Sequence, residues 1–156
     1  MGLNGDADAA NELCLADFIN RPIFPETLEV IDELRGRWPM AILSNADDSF
    51  LYPLLERPRI RDEFKAIVSS EEVRSYKPHS SIYNALLHRL NVEPSETLMV
   101  GDTLHEDVWG SHLVGMPSAW INRYEVPMNG RVEPTYELHS LKDLGKVLEG
   151  ADSTLR

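Results

Sequence analysis

The sequence predicts an α/β fold in which helices cover both faces of a parallel β-sheet. Short apolar runs alternate with segments whose apolar residues recur at helical spacing, a pattern typical of successive strand–helix units. The apolar runs lack the period-two alternation of a strand with one face in water, so we expect each strand to be covered on both faces. Open sheets of this class bind their ligands beyond the carboxyl ends of the strands.

The first predicted unit is a helix followed by a strand. Apolar residues at helical spacing, with Pro25 in front of them, predict a helix over Glu26–Arg37. Pro39 ends that helix, and the apolar run Met40–Leu43 forms the first strand. Ser44–Asp48 is then the polar loop at the carboxyl end of this strand.

The later elements repeat this alternation. The predicted helices are Phe50–Leu55, Ser80–Leu90, Val108–Val114 and Leu141–Leu148. The predicted strands are Ala66–Val68, Thr97–Val100, Ser118–Ile121 and Tyr136–Leu138. Ser69–Glu72 is a second polar strand exit, and Arg123–Pro134, which is rich in Pro and Gly, is a surface loop.

Composition excludes several classes of partner. The 156 residues carry 15 Lys and Arg against 26 Asp and Glu, a net charge of −11 without a basic cluster, which argues against nucleic acid. No apolar run approaches the roughly 18 residues of a membrane helix, and a basic, apolar leader is absent. A single cysteine, Cys14, excludes an internal disulfide and a Cys-x-x-Cys metal site. We therefore expect a cytoplasmic protein that binds neither nucleic acid nor membrane.

Two carboxylates follow the third predicted strand. Asp102 comes directly after Val100-Gly101, and Asp107 comes five residues later, at one strand–helix junction. Magnesium is typically held by one or two carboxylates, together with water and phosphate oxygens. The pattern indicates a Mg²⁺ site, although Asp107 could instead serve only to favour the positive end of the following helix.

Two other polar segments are candidates for binding an anion. Ser44-Asn45 places a hydroxyl and free backbone N–H groups at the end of the first strand, which suits an anionic oxygen, although Ser and Asn also form ordinary turns. Lys77 precedes Pro78, which favours an extended backbone and a loop position. A lone lysine is usually solvated, but a rim rich in carboxylates needs a cation if it is to hold an anion.

Taken in chain order, these segments closely resemble the motifs of the haloacid dehalogenase superfamily of hydrolases. The resemblance rests on Ser44-Asn45, Tyr76-Lys77-Pro78 and Gly101-Asp102 with Asp107, and it covers about residues 18–148. It implies a Rossmann-like three-layer parallel sheet, Mg²⁺, and attack on phosphate by an aspartate, whose aspartyl-phosphate is hydrolysed by water. The Gly-Asp…Asp pattern is similar to the phosphatase-type branch, so a small phosphorylated metabolite is the expected substrate.

The resemblance also assigns roles to individual residues. Ser44, helped by the backbone of Asn45, would bind the phosphoryl oxygens, and Lys77 would neutralise the nucleophile and the phosphate. Asp102 would ligate Mg²⁺, whereas Asp107 would ligate the metal through water or orient Lys77. On this basis Ser44 and Lys77 are the expected catalytic residues, and stabilisation of charge and positioning are the main sources of phosphoryl-transfer catalysis.

The first motif of the superfamily, a buried strand followed by Asp-x-Asp, has no match in this sequence. The only Asp-x-Asp is Asp6-Ala7-Asp8, and the residues before it are too few and too polar for a central strand. We therefore expect a fold that is incomplete at its N-terminus. Residues 1–20 would be a cap-helix remnant or N-terminal segment, in which Ala10–Asn20 corresponds to the last helix of the cap; residues 21–150 would be the core, and residues 151–156 a disordered tail.

Two functional hypotheses follow, and whether the chain alone is an enzyme is left undecided. The first is the core of a Mg²⁺-dependent phosphatase that is weak or inactive by itself. The second is a non-catalytic remnant or interaction module that keeps the anion and metal rim. In the superfamily the nucleophile strand lies between the strands that end at Ser44 and Asp102. Without it we expect two open strand edges, filled by the N-terminal segment or another chain, or paired in a homodimer or by strand exchange.

Overall fold

A computed structural model describes residues 7–128 and 132–154 of the chain, and these residues form parallel strands covered by helices. The strands are β1 (Met40–Ser44), β2 (Phe64–Ser69), β3 (Met99–Gly101), β4 (Ser118–Ile121) and β5 (Tyr136–Leu138). The α-helices are α1 (Ala7–Asn20), α2 (Thr27–Leu34), α3 (Asp48–Glu56), α4 (Ser70–Val73), α5 (Ser80–Leu90), α6 (Gly110–His112) and α7 (Leu144–Thr154). The predicted α/β class is confirmed.

Within the described residues the strands form two sheets rather than one. β1 pairs with β2, and β3, β4 and β5 form the second sheet in that order, with every pair parallel. β1 and β3 are not hydrogen-bonded to each other, so each has one edge without a strand partner in this part of the chain. The open edges are those that the missing central strand led us to expect.

The described part of the N-terminal segment does not fill the gap between β1 and β3. It forms α1, which packs on α3, where the Phe18 ring meets the Phe50 ring edge-on at a centroid distance of 6.0 Å. Residues 1–6, including the Asp6-Ala7-Asp8 candidate in part, lie outside the described residues. That another chain fills the gap, or that two copies pair through it, stays a prediction.

Helices on both faces hold the two sheets in one layer. On one face, α2 directs Val30 and Leu34 towards β4 and β5, while its Ile31 packs with α3 and β1. On the other face, α5 belongs to a single apolar cluster that includes Leu43 of β1 and Met99 of β3. The gap between β1 and β3 therefore lies inside a layer that is covered above and below.

Strand burial follows strand pairing. All four residues of β4, which has a neighbour on each side, are buried. All five residues of β1 are only half-buried, although four of them are apolar. Both faces of β1 are nevertheless covered, as predicted, because Ala41 and Leu43 pack on the cluster that contains α5, while Met40 and Ile42 pack on the cluster formed by α2 and α3. What distinguishes β1 from β4 is that one of its edges has no strand partner among the described residues.

The largest departure from the predicted elements follows β3. The sequence predicts a helix over Val108–Val114, but residues Leu104–Trp109 form a π-helix that leads into the short α6. The Val108 N–H reaches the carbonyl of Thr103, five residues back, with an N···O distance of 3.4 Å. This wider turn is of the kind that often occurs at functional sites, and it contains Asp107.

The C-terminal helix is longer than predicted. After a 3₁₀ turn at Leu141–Asp143, α7 continues to Thr154, so residues 151–154 belong to a helix rather than to the disordered tail that was expected. Residues 155 and 156 lie outside the described part. No helix in the described ranges is long and apolar enough to cross a membrane.

Candidate functional site

The candidate site lies where β1 and β3 end, on either side of the gap. Ser44 is the last residue of β1, and Gly101 is the last residue of β3. Lys77 lies in the turn between α4 and α5, where the Pro after it predicted a loop. Hydrogen bonds join this turn to Asn45, directly after β1, and to Asp107, in the π-helix that follows β3.

Lys77 and Asp107 form a nearly buried ion pair. The Lys77 Nζ atom donates to Asp107 Oδ1 at 2.6 Å, and the two side chains are 10% and 6% exposed. Asp107 Oδ2 accepts a hydrogen bond from the Thr103 N–H at 3.0 Å. Both carboxylate oxygens of Asp107 are therefore engaged within the protein. Among the described residues Asp107 is the one hydrogen-bond partner of the Lys77 ammonium, which leaves two of its three N–H donors for a ligand.

Asn45, in the loop that follows β1, binds the main chain of Lys77. Its Oδ1 accepts from the Lys77 N–H at 2.7 Å, and its Nδ2 donates to the Lys77 carbonyl at 3.1 Å. Both polar atoms of this amide side chain are used on one residue 32 positions away. The family resemblance gives a role only to the backbone of Asn45, so this contact of its side chain was missed.

Gly101 is required by the position of Asp107. A Cβ atom on Gly101 would lie 2.2 Å from Asp107 Cγ and 2.2 Å from Asp107 Oδ2, far inside van der Waals contact. The end of β3 must therefore be glycine for Asp107 to fold back over it and meet Lys77. In the sequence this requirement shows only as the Gly of Gly-Asp.

Two serines at the end of β2 hold the loop that follows β1. Ser69 Oγ donates to Asp48 Oδ1 at 2.5 Å, and it also accepts the Glu72 N–H at 3.0 Å as the N-cap of α4. Ser70 Oγ donates to the Ala46 carbonyl at 3.2 Å. Both serines are buried, so what the sequence suggested as a polar strand exit is a structural support for the loop that carries Asn45.

Tyr83 of α5 is hydrogen-bonded to the main chain of the π-helix. Its ring is fully buried, and its hydroxyl donates to the Glu106 carbonyl. Gly110 leaves room for this hydroxyl, because a Cβ there would lie 2.1 Å from the Tyr83 oxygen. Burial, with a smaller contribution from the nearby negative charge of Asp107, raises the pKa of Tyr83 well above its usual value.

Asp102 differs from Asp107 in being free to bind a ligand. Its side chain is exposed, and its carboxylate makes no hydrogen bond to the residues that the structure describes. Its carbonyl accepts from Trp120 Nε1 at 3.0 Å, which fixes the backbone at this point. Trp120 has no predicted role beyond its place in the strand Ser118–Ile121, so this contact was missed as well.

The donor set fits Mg²⁺ in part. Asp102 supplies one free carboxylate, and Mg²⁺ needs only one or two when phosphate oxygens and water fill the other positions. Across residues 7–128 and 132–154, no three His, Cys, Asp or Glu side chains are grouped to hold a metal ion. The oxygens of Asp107 are already bonded, so this residue fits the orientation of Lys77 better than direct ligation.

The predicted site residues meet at one rim, but not all of them touch. Asn45, Lys77 and Asp107 are joined by hydrogen bonds. Ser44 and Asp102 flank this group through their neighbours in the chain and make no side-chain bond to it.

A family model described as a haloacid dehalogenase-like hydrolase matches residues 4–115, more than half of the chain. The chain belongs to this family.

Relatives in the haloacid dehalogenase-like family include phosphatases. Pyrimidine 5'-nucleotidase YjjG of Escherichia coli (strain K12) is 31% identical over 125 residues, which cover 80% of this chain and 56% of the relative. N-acylneuraminate-9-phosphatase of Homo sapiens is also 31% identical over 125 residues, covering 79% of this chain and 50% of the relative. The chain thus spans about half the length of these relatives.

Solved structures of the haloacid dehalogenase-like family share the fold. An HAD phosphatase from Thermococcus onnurineus has a TM-score of 0.79 and 30% identity, with 90% of this chain and 65% of that chain covered. The L-2-haloacid dehalogenase from Xanthobacter autotrophicus has a TM-score of 0.86 at 23% identity, covering 96% and 69% of the two chains. Because a phosphatase and a dehalogenase both superpose, the fold alone does not select the reaction.

Proposed function

We propose that this chain forms the core of a Mg²⁺-dependent hydrolase of phosphate esters that acts on a small phosphorylated metabolite. The observation that carries the proposal is the Lys77–Asp107 pair, a nearly buried ammonium held at the rim of a parallel sheet with two donors left for an anion. Phosphatases among the relatives favour phosphate as that anion.

The proposed anion site has three donors from this chain. Ser44 Oγ and the N–H of Asn45 lie at the end of β1, and Lys77, whose main chain is bonded to the Asn45 side chain, supplies its Nζ atom from the neighbouring turn. Hydrogen bonds between such donors and a phosphoryl oxygen are charge-assisted and strengthen as negative charge develops in the transition state. Ser44 and Lys77 then act as catalytic residues by stabilising charge, and Asp107 keeps Lys77 in place.

Asp102 is the residue that would hold Mg²⁺, together with phosphate oxygens and water. The bound ion would offset the charge of the phosphate and so lower the cost of bringing an anion to an acidic rim. Asp102 is suited to this because its carboxylate is exposed while its backbone is fixed by Trp120. The structure of the Bacillus subtilis protein YfnB, which has the same fold at 24% identity, was solved bound to magnesium.

The chain on its own is proposed to be weak or inactive. None of the five described strands is followed by Asp-x-Asp, so these strands supply no aspartate nucleophile of the expected kind. The proposed activity therefore needs a nucleophile from polypeptide outside these strands. Phosphate binding, by contrast, depends only on residues that the rim already holds.

The test is Mg²⁺-dependent binding of orthophosphate, measured by calorimetry, alongside hydrolysis of para-nitrophenyl phosphate. We expect phosphate binding that requires Mg²⁺ and is lost in Asp102→Asn, with little or no turnover. Asp62→Asn, an exposed carboxylate at the opposite end of β2, is the matched control and should bind as the unaltered chain does. Equal binding by Asp102→Asn, or no binding by the unaltered chain, contradicts the proposal.

The split sheet favours a second candidate, an interaction module without catalysis. The open edges of β1 and β3 carry unpaired backbone groups, which are the usual basis for strand addition, strand exchange or pairing of two copies. Sedimentation over a hundredfold range of protein concentration tests the homodimer. A mass that stays monomeric over this range contradicts self-association and leaves addition of a strand from another polypeptide.

A further inference from the structure

We infer that Asn45 is the positioning residue for Lys77, acting through the main chain of the lysine rather than on the ligand. That an ordered Lys77 serves anion binding rests on the proposed function, whereas the positioning of Lys77 by Asn45 rests on two hydrogen bonds. The Asn45 side chain accepts from the Lys77 N–H at 2.7 Å and donates to the Lys77 carbonyl at 3.1 Å. One side chain thus satisfies both main-chain polar groups of another residue.

Lys77 has no other support at its backbone in the described ranges. The turn around it is closed by the His79 N–H, which donates to the Tyr76 carbonyl at 2.9 Å, and this bond bypasses Lys77 itself. The next residue, Pro78, has no N–H to contribute. Asn45 is therefore what fixes the root of the lysine side chain, as Asp107 fixes its tip.

Fixing both ends matters because lysine is long and flexible. A lysine side chain loses more rotamer freedom on ordering than most others, and an ammonium that is already ordered binds an anion without that cost. If Asn45 is removed, the Lys77–Asp107 bond has to hold the lysine alone. The ammonium then samples more positions, and fewer of them face the anion site.

The same geometry limits what Asn45 offers a ligand. Its Oδ1 and Nδ2 are both committed to Lys77, so the group available to an anion is its backbone N–H. Ser44 and Asn45 are neighbours in the chain but act differently. The Ser44 hydroxyl makes no hydrogen bond to the described residues and is available to a ligand, whereas the Asn45 side chain fixes the main chain of Lys77.

The experiment follows the lysine directly. The chain holds four lysines, so NMR of ¹³C,¹⁵N-lysine-labelled protein resolves Lys77, assigned by its absence in Lys77→Met. In Asn45→Ala we expect the Lys77 side-chain signals to shift towards those of exposed lysines such as Lys65, while the other signals stay unmoved. Asn45→Asp keeps the acceptor for the Lys77 N–H and lacks the donor to its carbonyl, so it should give a smaller shift. Ser44→Ala is the control that should leave Lys77 unchanged.

Unchanged Lys77 signals in a folded Asn45→Ala protein would overturn the inference. If Asn45→Ala does not fold, the Lys77 signals of Asn45→Asp are the test instead. Unshifted Lys77 signals in that variant would equally overturn the inference. A Mg²⁺-dependent orthophosphate titration is the second readout, with affinity about tenfold lower in Asn45→Ala, the effect of losing roughly one hydrogen bond. If the unaltered chain binds no phosphate while Lys77 still shifts in Asn45→Ala, the proposed function fails and the positioning role stands.

Discussion

The ammonium of Lys77 donates to Asp107 at 2.6 Å and so links the turn that follows β2 and α4 to the turn that follows β3, across the gap that divides the two sheets. No strand pairing joins the two sheets among the described residues. The pair is therefore a connection between sheets as well as the centre of the candidate site, and its loss should be felt in stability.

We predict that Lys77→Met lowers the free energy of unfolding by about 3 kcal/mol, because it leaves the 6%-exposed Asp107 carboxylate without its counter-charge. Lys77→Met combined with Asp107→Asn should lose less than Lys77→Met alone, since the buried charge is then removed as well. Urea unfolding followed by circular dichroism measures both.

The matched control for that prediction is a surface pair of the same residue types. Lys146 pairs with Asp143 at 3.1 Å, and the lysine side chain is 81% exposed. Lys146→Met should change stability by less than about 0.5 kcal/mol, because water screens exposed pairs. Equal losses for the two lysine variants would show that the Lys77 pair is no more buried in solution than an ordinary surface pair.

A second prediction concerns Gly101, whose missing side chain leaves the space that Asp107 occupies. Gly101→Ala should lower the free energy of unfolding by about 1–3 kcal/mol, the usual cost of overpacking, and should displace Asp107 from Lys77. Gly150→Ala is the control, because a Cβ there has open space and alanine favours the helix. Thermal unfolding compares the two, and a Gly101→Ala protein as stable as the unaltered chain would contradict the close approach.

The sequence predicts the positions of the candidate site residues after the strands better than it predicts the hydrogen bonds between them. Strand ends and polar exits are local patterns, so the positions of Ser44, Lys77 and Asp102 after their strands could be predicted from the sequence, whereas their roles stay a prediction. The reciprocal bonds of the Asn45 side chain could not, because they depend on the main chain of a residue 32 positions away. The half-buried state of β1 could not be predicted either, because the apolar run Met40–Leu43 predicts a buried strand whether or not a second strand pairs with it.

A third prediction is a pH dependence that comes from Tyr83. Because folding raises the pKa of this phenol above its unfolded value of about 10, the neutral form is favoured in the fold. The stability this gives is fully present below pH 10 and is lost as pH rises beyond it. Tyr83→Phe should be about 1–3 kcal/mol less stable at pH 7, because the Glu106 carbonyl loses its donor.

That difference should shrink above pH 10, by up to about 1.4 kcal/mol for each pH unit, since the phenylalanine variant cannot ionise. Urea unfolding at a series of pH values measures it, and titrating groups common to both proteins cancel in the comparison. Tyr124→Phe alters an 82%-exposed tyrosine and should show no such pH dependence. A constant difference between Tyr83→Phe and the unaltered chain from pH 7 to 11 would contradict the burial of this phenol.

The last prediction concerns the open edge of β1. In a parallel ladder, successive amides of a strand point to alternate sides, so a strand with one partner protects only every second N–H. We expect amide hydrogen exchange, measured by NMR, to be fast at alternate residues of β1 and slow along the whole of β4, which is paired with both β3 and β5. The strands share the same layer and similar helical cover, so the comparison isolates the missing partner. Uniformly slow exchange along β1 would mean that a strand occupies the gap in solution, and a rise in mass on sedimentation would then show whether a second copy supplies it.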